Sequence, residues 1–112
     1  MSARRGEVWL VDFEGIPGGG EAARQPAVVV SADALGESAA GVVLVVPTTA
    51  SRRDVPSHVA IQPGVSGLES VRYARCEDLR SVSEDRLILR LGTVSADVLA
   101  ATARVLAMLL DL

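Results

Sequence analysis

The sequence contains no lysine, since all 11 basic residues are arginines. This absence excludes mechanisms that need a lysine Schiff base or the lysine of a phosphate-binding P-loop, whereas arginine suits planar, bidentate binding of phosphate. The single cysteine, Cys76, excludes an internal disulfide and a zinc site built on several thiolates, and we expect it to be a small buried residue. The single histidine, His58, lies in an alternating strand pattern, which favours a structural role over catalysis or metal binding.

Aromatic residues are scarce, at 3% of the chain against 49% for hydrophobic residues, so we expect a core of Val, Leu and Ala. No apolar run approaches the roughly 20 residues of a membrane span, and the start lacks the apolar stretch of a secretory signal. These absences predict a cytoplasmic protein without membrane contact. The 112 residues predict a single domain over 1–112. A net charge of -3 excludes a broad positive surface, so a nucleic acid would have to be bound locally.

Short Val- and Leu-rich segments separated by Gly and Pro predict a mainly β fold of the α+β class. The predicted strands cover residues 7–13, 26–31, 42–46, 58–62, 70–76 and 87–91. Pro47 is predicted to end the third strand. Five to seven such strands are typical of a small barrel or a strongly curled sheet.

The last segment predicts a C-terminal helix that packs on the sheet. Ser95 is the predicted N-cap, Asp97 suits the positive end of the helix dipole, and apolar residues from Val98 to Leu110 gather on one broad face. Short helical turns are predicted at Ser31 and Ser83.

Three stretches carry candidate functional residues, each with an ordinary structural alternative. The segment GGGEAARQP over 18–26 has neither P-loop nor dinucleotide spacing, and its Glu21 and Arg24 form either a solvated surface pair or part of a site. In VVPTTASRR over 45–53, the strand-end hydroxyls either cap a turn or contact phosphate beside two arginines. In SVRYARCEDLRSV over 70–82, Arg72, Arg75 and Arg80 alternate with apolar residues. The pattern indicates either an edge with compensating charges or the wall of a groove for single-stranded nucleic acid. In the second case Tyr73 would be a platform on which a base stacks.

Taken in order, the motifs RRGEVWLVDF, R-Q-PAVVVS, VLVVPTTAS, VPSHVAI, SVRYARCEDLRSV and RLILRLGTVS, followed by the terminal helix, resemble the MazF/PemK toxin family over nearly the whole chain. The resemblance implies an SH3-like β-barrel with added helices and a homodimer. It also implies a ribosome-independent endoribonuclease, or mRNA interferase, that cuts single-stranded RNA. A cognate antitoxin with a disordered, often acidic tail would neutralise it.

The resemblance further implies metal-free transesterification without a cofactor, in which the ribose 2'-OH attacks the phosphorus and leaves a 2',3'-cyclic phosphate and a 5'-OH. Arg24 would stabilise the phosphoryl charge, Thr49 would hydrogen-bond the phosphate, and Glu21 could accept the proton if its loop folds inward. The implied RNA contacts are Thr48, Arg52, Ser70, Tyr73, Glu77 and Arg80.

One position departs from the family pattern, which has arginine directly before the proline. Here Gln25 occupies that position and Arg24 lies one residue earlier, which on a regular strand turns the side chain to the opposite face unless the backbone bulges. Gln25 makes a catalytically silent binding module a plausible alternative, and a barrel of the same type that inhibits DNA gyrase, like CcdB, is another.

Overall fold

The structure, a computed structural model, describes residues 3–16 and 23–112. Within these residues, seven strands and two α-helices follow one another. The strands are β1 (Glu7–Asp12), β2 (Arg24–Val29), β3 (Val42–Thr49), β4 (His58–Ile61), β5 (Arg72–Arg75), β6 (Arg80–Ser83) and β7 (Leu87–Thr93). The helices are α1 (Asp33–Gly36) and α2 (Ala96–Leu110), and short 3-10 turns cover Cys76–Asp78 and Glu84–Arg86. The helical turn predicted at Ser83 is thus confirmed, whereas the turn predicted at Ser31 begins two residues later, at Asp33.

All strand pairings are antiparallel, and the sheet follows the order β4-β5-β3-β2-β1-β7, with β6 also paired to β3. The mainly β architecture with seven strands and a C-terminal helix confirms the predicted class. Among the described residues the two end strands, β4 and β7, are not paired with each other. The predicted closure into an SH3-like barrel is therefore not confirmed.

The central strand β3 runs through Pro47 to Thr49, so the prediction that Pro47 ends this strand is wrong. The Leu44 carbonyl faces β2, where it accepts a hydrogen bond from the Val30 amide at 3.0 Å. By alternation, the Pro47 nitrogen faces the other edge of β3. On that edge β6 pairs only as far as Val45 and β5 begins pairing at Thr48, so a missing N–H interrupts neither ladder.

Two clusters of small aliphatic side chains form the core, as the composition predicts. One cluster packs the ring of Trp9 and that of Phe13 against valines of β1 to β3. The other joins Val46 and Ile61 to the buried Cys76 and is covered by Val98, Val105 and Leu106 of α2. Alternate residues of β2 and β3 contribute to opposite clusters, so these strands are covered on both faces and read as continuous apolar runs.

Helix α2 begins at the predicted cap, where the Ser95 hydroxyl accepts a hydrogen bond from the Val98 amide at 3.2 Å. The predicted apolar face is buried only in part. Leu109 and Leu110 are 45% and 55% exposed, beyond the helix residues that cover the sheet. Neither described helix is long and apolar enough to cross a membrane.

Candidate functional site

The register of β1 and β2 decides where Arg24 and Gln25 point. The two strands pair without a shift from Asp12 opposite Arg24 to Val8 opposite Val28. No bulge therefore interrupts residues 24–28, and Arg24 and Gln25 lie on opposite faces of β2. Gln25 shares the face of Val11, whereas Arg24 is exposed and opposes Asp12. The predicted catalytic role of Arg24 stays a prediction.

Thr49 lies on the same face as Gln25. Ala27 pairs with Pro47 at the end of the β2–β3 ladder, and by alternation Gln25 and Thr49, each two residues further along its strand, lie on the face of Ala27 and Pro47. Thr49 is buried, and its Oγ1 accepts a hydrogen bond from the Ser51 amide at 3.1 Å. The position where the family pattern has arginine thus shares a face of the sheet with Thr49, but this chain has an amide there.

Thr48 points to the other face, because its neighbour across the ladder is the core residue Ala74. Its hydroxyl donates a hydrogen bond to the Pro26 carbonyl at 2.7 Å, and only 2% of the surface of the residue is exposed. The only proton of the hydroxyl is therefore used inside the fold. The predicted RNA contact of Thr48 stays a prediction, and its observed contact joins β3 to β2.

Arg72, the first residue of β5, connects these strand ends. Its Nη2 donates to Gln25 Oε1 at 2.6 Å and to the Thr48 carbonyl at 3.1 Å, and its Nε donates to Thr48 Oγ1 at 2.8 Å. We name Gln25, Thr48, Thr49 and Arg72 the strand-end cluster. No local pattern of the sequence distinguishes Arg72 from Arg75 and Arg80, because its contact with β2 joins residues 47 positions apart.

A narrow cleft beside the strand-end cluster brings together residues of several strands. It is lined by Phe13, Gln25, Pro47, Thr48, Arg75, Asp78 and Arg80. Arg80 forms an ion pair with Asp78, and its guanidinium lies 6.0 Å from the centre of the Phe13 ring. Arg75 approaches the same carboxylate at 3.8 Å. The positive charges of Arg75 and Arg80 are therefore offset by Asp78, which holds them at the cleft wall.

The outer face of β4 and β5 carries a wider, open cleft of about 440 Å³. Tyr73, His58 and Arg52 line it together with Asp54, Val55, Ala60, Gln62 and Val71. Tyr73 pairs with Thr49 across the β3–β5 ladder, so this cleft adjoins the strand-end cluster. The arrangement brings the predicted stacking residue next to the predicted phosphate-binding hydroxyl.

Glu77 lies beside this cleft and interacts with His58. The His58 Nε2 is 3.1 Å from Glu77 Oε2, and the His58 side chain is only 5% exposed, which fits its predicted structural role. Partial burial raises the pKa of Glu77, but hydrogen bonds from its own backbone amide and from the His58 and Ser57 side chains outweigh it, so the net pKa is lowered. Glu77 is therefore ionised at neutral pH, and its predicted RNA contact stays a prediction.

The remaining predicted residues are distributed around the same edge. Ser70 lines a third cleft of about 260 Å³ on the other side of Arg72, beside Pro26 and Glu69. Arg52 forms an ion pair with Asp54 at 2.7 Å. Glu21 and the glycine-rich segment 18–20 lie outside the described residues. The structure thus brings Thr49, Tyr73 and Arg80 to one edge of the fold and turns Arg24 to the opposite face of its strand.

Comparison with known proteins places this architecture in one class, the toxins of type II toxin-antitoxin systems. The sequence model of the family described as PemK-like, MazF-like toxin matches residues 4–110. The chain therefore belongs to the PemK/MazF family.

Individual relatives match over nearly their whole length. Endoribonuclease MazF9 of Mycobacterium tuberculosis is 38% identical over 114 residues, which cover 97% of each protein. The crystal structure of MazF from Deinococcus radiodurans superposes with a TM-score of 0.84 at 26% identity and covers 100% of this chain and 99% of that chain. A mycobacterial endoribonuclease in complex with its cognate antitoxin superposes with a TM-score of 0.80 at 27% identity. The match covers 99% of this chain and 97% of that chain.

Proposed function

We propose that this protein is the toxin of a type II toxin-antitoxin system and acts as an endoribonuclease on single-stranded mRNA. The observation that carries the proposal is the 38% identity with Endoribonuclease MazF9 over 97% of both chains. The edge that holds Thr49, Tyr73 and several arginines supports it, because these residue types suit an RNA backbone and an unstacked base.

The proposed reaction is transesterification within the RNA, without a metal ion. The ribose 2'-oxygen attacks the adjacent phosphorus and loses its proton to a base, the bond from phosphorus to the 5'-oxygen breaks, and that oxygen takes up a proton. The products are a 2',3'-cyclic phosphate and a 5'-OH. The protein has to align the attacking oxygen and stabilise the charge on the phosphoryl oxygens. Thr49 is proposed to hydrogen-bond the phosphate, and Glu21 stays a predicted base.

The partners follow from the same proposal. Exposed apolar residues at the end of α2 and on β7 would be covered in a homodimer; they are Ile88, Leu89, Met108, Leu109, Leu110 and Leu112. A cognate antitoxin with an acidic tail would occupy the arginine-lined edge and so exclude RNA. The site of action would be the cytoplasm, where mRNA is found. We also propose that the curled sheet is an open form of the SH3-like barrel, because β3 belongs to both of its halves.

The experiment is incubation of the purified protein with a long unstructured RNA in excess EDTA, followed by mapping of the cleavage sites and their termini. Discrete cuts that leave 5'-OH ends are expected. Intact RNA together with inhibition of DNA gyrase would replace the proposal by the CcdB-like alternative. Intact RNA that is bound but uncut, with no gyrase inhibition, would establish the silent binding module.

A further inference from the structure

We infer that the open cleft on the outer face of β4 and β5 holds one unstacked base of the RNA, and that the small side chain of Ala60 makes room for this base. The inference rests on the proposed ribonuclease function and adds a subsite to it. Proteins that recognise single-stranded RNA contact bases that have left the stack. Such a base has to lie close to the phosphate that Thr49 is proposed to bind.

The cleft lies next to Thr49 on the same face of the sheet. Tyr73 pairs with Thr49 on one side and with Ala60 on the other, and the side chains of directly paired residues point to the same face. Ala60 is two strands away from Thr49, which corresponds to roughly 10 Å. A base linked to a phosphate beside Thr49 can therefore reach the cleft across Tyr73.

The cleft is deep over Ala60 because the neighbours of this residue are larger. His58 and Gln62 lie two residues before and after Ala60, and Tyr73 is its partner across the ladder. All three line the cleft of about 440 Å³ together with Ala60, which is exposed. Ala60 therefore forms the floor of the cleft, and a longer side chain at this position would fill the space.

The lining of the cleft suits an uncharged aromatic ring better than a phosphate or an acidic peptide. Arg52 and Asp54 form an ion pair at 2.7 Å, so the positive charge at the cleft is offset by a carboxylate. Val55 and Val71 add apolar surface. The Tyr73 ring supplies a surface on which any base can stack. These features together match a nucleobase.

Gln62 is the residue that would distinguish one base from another. It is exposed directly after β4 and lines the cleft, and its side-chain amide offers both a donor and an acceptor. Its backbone carbonyl accepts a hydrogen bond from the Ser66 hydroxyl at 2.6 Å, which fixes the main chain at this position. An amide held in this way can form paired hydrogen bonds with the edge of a base.

The main test fills the cleft from its floor. Ala60→Leu adds bulk on the exposed face of β4, and Ala100→Leu on the exposed surface of α2 is the matched control. Affinity is measured for a short single-stranded DNA of mixed sequence, which lacks the attacking 2'-OH. The strand is used intact and with one abasic position that is moved along it.

The expected result is a loss of sensitivity to one base. For the wild-type protein and for Ala100→Leu, one abasic position should weaken binding by about 5- to 100-fold, the range for losing one stacked base. Ala60→Leu should bind the intact strand more weakly by a similar factor and should show no further loss at that position.

Two further variants separate stacking from base choice. Tyr73→Leu should remove the sensitivity to the abasic position, whereas Tyr73→Phe should keep it, because phenylalanine retains the ring. Gln62→Leu should retain the sensitivity and reduce the preference among the four bases at that position by about 5- to 100-fold. An unchanged preference in Gln62→Leu would exclude the role of this amide.

The outcomes distinguish this inference from the proposed function. If the wild-type protein cuts no RNA in EDTA but shows the abasic sensitivity that Ala60→Leu abolishes, the proposed function fails and the base subsite stands. If RNA is cut but folded Ala60→Leu keeps the wild-type affinity and sensitivity, the inference is overturned and the function stands.

The remaining outcomes also decide the inference. If Ala60→Leu does not fold, equal sensitivity in Tyr73→Leu and Tyr73→Phe overturns the inference, and sensitivity in Tyr73→Phe alone supports it. A wild-type protein that binds the strand equally well at every abasic position, or does not bind it, overturns the inference as well.

Discussion

Replacing Thr48 by valine tests the contacts that hold the strand-end cluster together. Valine has nearly the shape of threonine but lacks the hydroxyl, which here donates to the Pro26 carbonyl at 2.7 Å and accepts from Arg72 Nε at 2.8 Å. The substitution therefore breaks both hydrogen bonds with little change in packing volume.

The expected cost follows from these two contacts. A hydrogen bond between neutral groups contributes about 0.5–1.5 kcal/mol, and one to a charged group about 1.5–3 kcal/mol. Water can reach the half-buried Arg72 and recover part of the second contribution. We therefore expect Thr48→Val to lower the free energy of unfolding by about 2–4 kcal/mol, or the melting temperature by roughly 8–16 °C for a domain of this size.

The assay is urea unfolding at one fixed protein concentration, because a dimer would make the stability concentration-dependent. Thr48→Ser is the control, since it keeps the hydroxyl and removes only a methyl group, at a cost of about 1 kcal/mol. If Thr48→Val costs less than the serine variant, or less than about 0.5 kcal/mol, the hydroxyl does not hold these strands together and the reasoning is wrong.

Three further predictions concern the rest of the fold. Burial raises the pKa of Glu7, but hydrogen bonds from a backbone amide, the Trp9 indole and the Arg90 guanidinium outweigh burial, so the net pKa is lowered from 4.5. The ionised Glu7 carboxylate therefore stabilises the folded protein above that pH, and its contribution is lost as the pH falls below it. Urea titrations across pH should give a smaller acid loss for Glu7→Gln, and an equal loss would contradict this. Burial and then a neighbouring carboxylate raise the pKa of the Cys76 thiol to about 11, so iodoacetamide should label it at pH 8 only after unfolding; rapid labelling of the native protein would refute its burial. Gly67 has a φ of +75°, and an added Cβ would lie 1.9 Å from a carbonyl oxygen of β7. Gly67→Ala should therefore lower the free energy of unfolding, measured by thermal unfolding, by at least about 2 kcal/mol. An unchanged stability would exclude this close approach.

The local patterns of the sequence predict much of the fold. Alternation and Val-rich runs locate six of the strands, and the cap at Ser95 marks the start of α2 at the right residue. The separate strand β6 and the passage of β3 through Pro47 are not predictable in this way. Both depend on β3 changing its partner from β6 to β5, which is a property of the tertiary fold.

The candidate site is predictable only in part for the same reason. Thr49 and Tyr73 follow from their places at strand ends, and alternation alone indicates that Arg24 and Gln25 point apart. The contact between Arg72 and Gln25 joins residues 47 positions apart, and no local pattern determines that distance. The sequence therefore indicates Thr49 as a candidate but does not predict the contact between Arg72 and Gln25.

The most direct measurement is a crystal structure of the protein with a short RNA in which the attacking 2'-OH is replaced by hydrogen, so that the bound strand stays intact. We expect a phosphate oxygen at about 2.7–3.1 Å from the Thr49 hydroxyl. A phosphate bound away from Thr49 would contradict the proposed site.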